Sequence, residues 1–341
     1  MAGVQQVQVS RGSLVESHHN VAACAVDGRG DVLFASGDID ADVYLRSSAK
    51  PFIAAAAIAA SVHERFGLEQ REIAVMAASH SGEPLHVEAV RSILRKIDMN
   101  ESALQCGAHL PYDEAAAHAL IRAGEAPSAL HNNCSGKHAG VLALCKAIGA
   151  DPSTYLEREH PAQVRILALC ARLSNDDPAR WPVGVDGCGI PVYATSLRKA
   201  ALAFARFATL DGIDPSDAAA LAIVREAMIA HPEYVGGTAA HFDTELMRVG
   251  AGAIACKAGA EGVHAVAAIP QGIGYVNKVL DGASRGRGPA TVAALRDLRV
   301  LDERQVEKLA SFARPIVYNR AGRAIGEIRA VNVAVEEASA P

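Results

Sequence analysis

The sequence is poor in aromatic side chains, which make up 4% of its 341 residues, and neither sign of charge dominates, with 33 basic against 38 acidic residues. A formal net charge of -5 gives no basic surplus to displace counterions from a phosphate backbone, so no nucleic-acid partner is expected. Long apolar runs are missing as well. The run from Phe52 to Ala60 falls well short of the roughly 20 residues that span a bilayer, so no membrane partner is expected either. The opening MAGVQQVQVSRG alternates like a strand and shows no basic region followed by an apolar one; no cleaved leader is expected, and the cytoplasm is the expected compartment. Cysteine is used singly: Cys24, Cys106, Cys134, Cys145, Cys170, Cys188 and Cys256 are odd in number, scattered, and form no C-x-x-C pair, which reads as reduced thiols. There is no H-E-x-x-H array and no glycine-rich loop with phosphate-binding spacing, which leaves nucleotide binding without support.

What is present points to a helix-rich α/β protein. Half the residues are hydrophobic, much of that alanine, and 21% are charged. The chain is long enough to bury a core without disulfide or metal staples. Residues 4-10, 19-26 and 31-36 pattern as strands around the turn Asp27-Gly28-Arg29-Gly30. Helical periodicity follows at 50-65, 84-97, 114-123, 136-149, 160-174, 194-208, 215-230 and 238-249. Strand patterns return at 252-256, 262-269 and 273-279; after two short helices, final strands are expected near 314-319 and 325-335. This order predicts one domain over 1-341, with an antiparallel sheet drawn from about 1-45 and 250-335, a helical lobe at about 50-249, and a cleft between them.

Chemistry concentrates in a few segments. Serine is a weak nucleophile until a base takes its proton, and Ser47-x-x-Lys50 places a hydroxyl and an amine on one face of a helix entered through Pro51. A helix start also offers N-H groups to an oxyanion. The spacing alone is weak, because Ser196-x-x-Lys199 matches it too, and a capping serine beside a solvated lysine is the plain alternative. Lys257 leaves the apolar run Ala251 to Cys256 as the lysine of a K-T-G strand does, and a second amine with burial would lower the pKa of both. The loop Ser79-His80-Ser81-Gly82-Glu83 supplies either a second hydroxyl or a helix cap. Asn132 to His138 and Asp186-Gly187-Cys188-Gly189 together could bind zinc, although single cysteines that far apart are more often buried small residues. Gly236-Gly237-Thr238 is a glycine-hinged turn suited to a small polar substrate, or a simple cap.

Taken together, Arg46 to Phe52, Ala78 to Glu83, Asn133 to His138, Val185 to Gly189, Val235 to Thr238, Cys256 to Gly262, and the block Gly274 to Gly288 with Lys278 and Asp281-Gly282-Ala283-Ser284-Arg285 resemble the asparaginase II family, the rhizobial-type L-asparaginases. The likeness runs through nearly the whole chain. It implies a β-lactamase-like fold, related in plan to penicillin-binding proteins and serine-dependent glutaminases, and a homodimer. It further implies two serine/lysine tandems, Ser47 with Lys50 and Ser79 with Lys257. Zinc would lie on Cys134, Lys137 and Cys188, and Arg46, Ser48, His80, Asn133, His138, Asp186, Gly237 and Thr238 would stand on the substrate side. The chain departs from the pattern at His241-Phe242, where the family often has arginine.

The expected activity is hydrolysis of L-asparagine to L-aspartate and ammonia through an acyl-enzyme on Ser47, with zinc outside the hydrolytic step. A glutaminase or another small-amide serine hydrolase is the alternative, since one methylene discriminates by only about 1-3 kcal/mol. A non-catalytic amino-acid or zinc sensor is the reading from a different class.

Overall fold

The computed structural model describes residues 4-333, so positions 334-335 of the expected last strand lie outside the described residues. Eleven strands form among them: β1 (Val4–Arg11), β2 (Leu14–Val26), β3 (Val32–Ser36), β4 (Asp42–Tyr44), β5 (Val183–Val185), β6 (Pro191–Ser196), β7 (Ile254–Gly259), β8 (Val263–Ala268), β9 (Ile273–Val279), β10 (Ile316–Tyr318) and β11 (Ala324–Val333). The main sheet runs β10-β11-β1-β2-β9-β8-β7, with β3 also on β2. Its pairings are antiparallel throughout. Both ends of the chain therefore build one sheet, as expected. β2 is long because one edge serves two neighbours in turn: β1 as far as Val21, then β3 from Ala23 to Val26. Ser36 bridges the junction, its Oγ accepting from Gln5 N-H at 2.7 Å and donating to Val21 O at 2.8 Å.

Strands β7, β8 and β9 are buried almost throughout, on both faces, because helices cover both. Gly274 has no room for a side chain against Ala201 O of the helix Leu197–Thr209, while Asn277, of opposite parity, bonds Thr291 of the helix Arg287–Asp297. The first of these two helices separates the sheet from the helical lobe. Several lobe helices begin at a proline whose missing N-H costs nothing in a first turn: Pro84–Lys96, Pro161–Ser174 and Pro215–Ala230.

The structure revises three sequence expectations. The helix expected at 50-65 stops at Ile58 and resumes at Val62–Phe66, broken by left-handed Ser61 (φ 55°). The segment 194-208 begins as strand β6, the helix starting at Leu197 behind the cap Ser196, whose Oγ accepts from Lys199 N-H at 3.3 Å. A second, three-stranded sheet, β4-β6-β5, lies at the edge of the lobe; two of its strands have three residues, too few to show an alternation.

Close packing sets the position of the Cys134 turn. Gly136, in the first turn of the helix Ser135–Ile148, lies so near the helix Gln70–Met76 that a Cβ would stand 2.1 Å from Val75 O. Gly136→Ala is expected to lower the melting temperature, overpacking costing about 1-3 kcal/mol, and to displace the turn that carries Cys134. A thermal melt matching that of the wild type would show that the helix moves aside freely.

Candidate active site

Ser47 lies in the short 3-10 turn Arg46–Ala49, which leads directly into the helix Lys50–Ile58. Arg46 occupies the left-handed region (φ 51°), which a long side chain adopts only at a cost of about 1-3 kcal/mol when its surroundings hold it there. The hold is an ion pair: Arg46 Nε donates to Asp186 Oδ1 at 2.8 Å. Ser48 is fully buried and its Oγ donates back to Leu45 O at 2.6 Å, which takes that hydroxyl out of contention. Ser47 is half-buried, and its Oγ has no hydrogen-bond partner among the described residues.

Lys50 is 1% exposed, and it meets Ser79 rather than Ser47. Its Nζ donates to Ala78 O at 2.6 Å, to Ser79 Oγ at 2.9 Å and to Asn133 O at 3.5 Å. Burial lowers its pKa and Lys137 adds to that, against an opposing pull from the Cys134 thiol. A neutral Lys50 would keep two N-H donors for the two carbonyls and turn its lone pair to the Ser79 hydroxyl. The loop carrying Ser79 is pinned like a short strand: Ser79 N-H donates to Val235 O at 3.0 Å, Ser81 N-H to Gly236 O at 2.8 Å, and His80 N-H to Asn133 O at 3.2 Å.

Lys257 is fully buried and differs from the expected pairing in the same way: its Nζ meets Asp243 Oδ2 at 3.3 Å and Ala258 O at 2.9 Å, not Ser79. Burial brings its pKa down to about 8 against the pull of Asp243. The tandems are therefore assembled as Ser79 with Lys50 and Lys257 with a carboxylate, because the loop 79-83 packs on the Asn133 turn and not on β7. Asp243, Cys256 and His264 offer ligand atoms within 4.8 Å of one another, and the Asp243 carboxylate is engaged by Lys257, Ala258 N-H and His264, which makes the group an ion-pair network.

The three expected metal residues do converge. Lys137 Nζ donates to Cys188 Sγ at 2.8 Å and lies 3.9 Å from Asp186 Oδ2, and Cys134 is the neighbour of Cys188 on the other side. Cys134, Lys137 and Cys188 are all buried. Interaction with Cys188, with Lys137 and Lys50 nearby, brings the Cys134 thiol well down against the cost of burial; the same interaction, then burial, pushes Cys188 up. Burial alone would lower Lys137, but the two sulfurs and Asp186 outweigh it and the net direction is up. Two soft sulfurs and an amine in one buried cluster fit a thiophilic dication such as zinc, on condition that Lys137 sheds its proton.

The remaining expected residues divide into cleft and scaffold. Arg46, Lys50, Lys137 and Asp186 line one cavity, which continues past Phe52, Ile166 and Trp181. His138 is buried, with Nδ1 on Tyr155 Oη at 2.6 Å and Nε2 without a partner. His80 is buried and structural: Nε2 meets Ser135 Oγ at 2.9 Å and its ring stacks on His86. Gly237 and Thr238 dock on the serine loop rather than standing open to a ligand, Thr238 donating from N-H and Oγ1 to Glu83 at 2.9 and 2.6 Å. Glu83 also stands at the start of the helix Pro84–Lys96, so the capping alternative is realised alongside Ser79's contact with Lys50. The His241 ring packs on Gly236 with Nδ1 unpartnered, and burial lowers its pKa to about 4.

Sequence reasoning missed Asp243 and His109. His109 Nε2 accepts from Asn133 N-H at 3.0 Å and its ring stacks on Tyr112. Neither belongs to a spacing motif; only Asp243's place just after the noted His241-Phe242 could have drawn attention to it.

Among the described residues no helix is long and apolar enough to cross a membrane. No curated protein matches the chain. Among solved structures it is similar to Mglu in its native form, at 15% identity and a TM-score of 0.45, with 83% of this chain and 66% of that one covered. Mglu in its L-glutamate binding form gives 13% identity and a TM-score of 0.40 over 83% of this chain, which spans 62% of that one. A putative beta-lactamase from Bacteroides dorei gives 14% identity and a TM-score of 0.38, with 82% of this chain and 94% of that one covered. The family model described as L-asparaginase II matches residues 7-330, almost the full length and every segment of the site. The chain therefore belongs to the L-asparaginase II family.

Proposed function

We propose that the protein hydrolyses L-asparagine to L-aspartate and ammonia, with Ser47 as nucleophile. The observation that carries this reading is the 2.9 Å contact of buried Lys50 with Ser79 Oγ, one helical turn from a second serine whose hydroxyl has no partner among the described residues. The two hydroxyls then have different tasks. Ser47 Oγ attacks the amide carbon, and the Ser79-Lys50 couple takes its proton. Lys257 gives a proton to the amide nitrogen as the C-N bond breaks and ammonia leaves. In the second half, neutral Lys257 takes a proton from the attacking water, and Lys50 returns the first proton to Ser47. The sum is one water consumed and no net change in the enzyme.

Cys134, Lys137 and Cys188 would hold zinc, whose positive charge would fix the Arg46-Asp186 wall of the cleft. One ion per chain is expected by elemental analysis, lost in Cys134→Ala, with ammonia release falling less than in Ser47→Ala. Loss as complete as in Ser47→Ala would contradict this secondary role. Family membership supports a homodimer as part of the same proposal.

The direct test of the substrate is ammonia release from asparagine and glutamine side by side, with product identification. Asparagine is expected to be the faster; a higher kcat/KM for glutamine would move the assignment to the longer amide. Binding of asparagine without turnover would make the protein a sensor.

A further inference from the structure

The inference drawn here rests on the reading that Lys257 works in the amide-cleaving site. Among the described residues β7 is an edge strand of the main sheet, so its outward N-H groups lack strand partners there. Asp243, from the helix Phe242–Gly250, supplies one, its Oδ2 accepting from Ala258 N-H at 2.9 Å. The same oxygen faces Lys257 Nζ at 3.3 Å, and Oδ1 faces His264 Nε2 at 3.0 Å. Behind His264, Thr291 Oγ1 lies 3.3 Å from Nδ1 and accepts from Asn277 Nδ2 at 3.0 Å. With the Thr291 hydroxyl donating to Nδ1, the ring carries its proton on Nε2 and donates it to Asp243. Asp243, Lys257, His264, Asn277 and Thr291 are all 0% exposed.

The strand register explains why a carboxylate is needed there. Ala258 pairs with His264 and Lys257 with Ala265, so Lys257 and His264 leave opposite faces of the sheet. Only a group reaching around the free edge of β7 can touch both, and Asp243 does. A carboxylate buried alone would be costly; here it has a cation and two N-H donors, an arrangement that holds its position tightly.

We propose that Asp243, oriented by His264, is the positioning residue of Lys257, fixing the amine and keeping a counter-charge against it so that Lys257 can deliver its proton to the departing ammonia. The charged and titratable groups around Lys257 are Asp243 and His241 on and before the helix Phe242–Gly250, His264 on β8, Cys256 on β7 itself, Arg287 on the helix Arg287–Asp297, and Lys50 on the helix Lys50–Ile58; Arg46, in the turn packed on β7, is engaged with Asp186. Burial, Lys50 and Arg287 work against the ammonium, and Asp243 favours it. Removing the Asp243 charge therefore weakens proton binding by Lys257. A step that needs the ammonium then fails at lower pH, and the alkaline limb of the rate profile moves down.

The test compares ammonia release from asparagine over pH for wild type, Asp243→Asn, His264→Leu, His264→Gln and Lys257→Met, with circular dichroism and melting to establish folding. Folded Asp243→Asn is expected to lose about 10²-fold in kcat with KM within about twofold, and its alkaline limb to fall by about 1-3 pH units. His264→Leu is expected to lower kcat, and His264→Gln, which keeps an N-H near the Nε2 position, to recover most of the loss. A folded Asp243→Asn with the wild-type alkaline limb overturns the proposal. Should that variant not fold, equal kcat in the leucine and glutamine variants of His264 overturns it instead. Wild-type turnover by Lys257→Met would place the failure in the site reading rather than in the role of Asp243.

Discussion

Ser47→Ala is expected to lower ammonia release from asparagine by about 10³-fold or more while leaving the melting temperature close to that of the wild type. Loss of the nucleophile removes the covalent route, and the remaining site can only bind the substrate and polarise it. Stability should change little because the hydroxyl is half-buried and has no partner among the described residues to leave unsatisfied. The neighbour makes the internal control: Ser48→Ala removes a fully buried hydroxyl bonded to Leu45 O at 2.6 Å, so it should affect melting more and turnover less. A steady-state assay with melts on both variants separates the two serines. Similar turnover in Ser47→Ala and wild type would remove Ser47 from the chemistry.

Lys50→Met should reduce kcat by about 10²- to 10⁴-fold, the range for removing a positioned base. Methionine keeps much of the buried volume, but the carbonyl of Ala78 loses its donor while that of Asn133 keeps His80 N-H, and an unsatisfied buried acceptor costs about 1-3 kcal/mol. Relief from burying an amine offsets part of that, so a folded protein with a modest fall in melting temperature is expected. The kinetic split is informative. Lys50 acts in proton transfer and not on the substrate's charged groups, so KM should change far less than kcat. A rise in KM at constant kcat would make Lys50 a binding residue.

The architecture was legible in the sequence wherever local signals repeat. Prolines mark the starts of several lobe helices, and the alternation of 4-10 and 19-26 marks β1 and much of β2. Strands β4 and β5 were not legible, since three residues cannot carry a period. The segments of the site were legible as chemistry, and Lys50, Ser79, Cys134, Lys137 and Cys188 do gather in two adjoining clusters. Their pairing was not. Whether Lys50 reaches Ser47 or Ser79 depends on the loop 79-83 being pinned to Val235, Gly236 and Asn133, contacts made by residues far apart in the chain. Asp243 was hidden for the same reason: it is one of 38 acidic residues, and only the free edge of β7 singles it out.

The division of labour between the two serines is the central claim, and rapid quenching of the enzyme with asparagine, followed by peptide mapping by mass spectrometry, tests it most directly. A covalent aspartyl adduct on the peptide that carries Ser47, absent in Ser47→Ala and still formed, more slowly, in Ser79→Ala, is the expected result. An adduct on Ser79, or turnover with no covalent adduct at any quench time, would contradict the account.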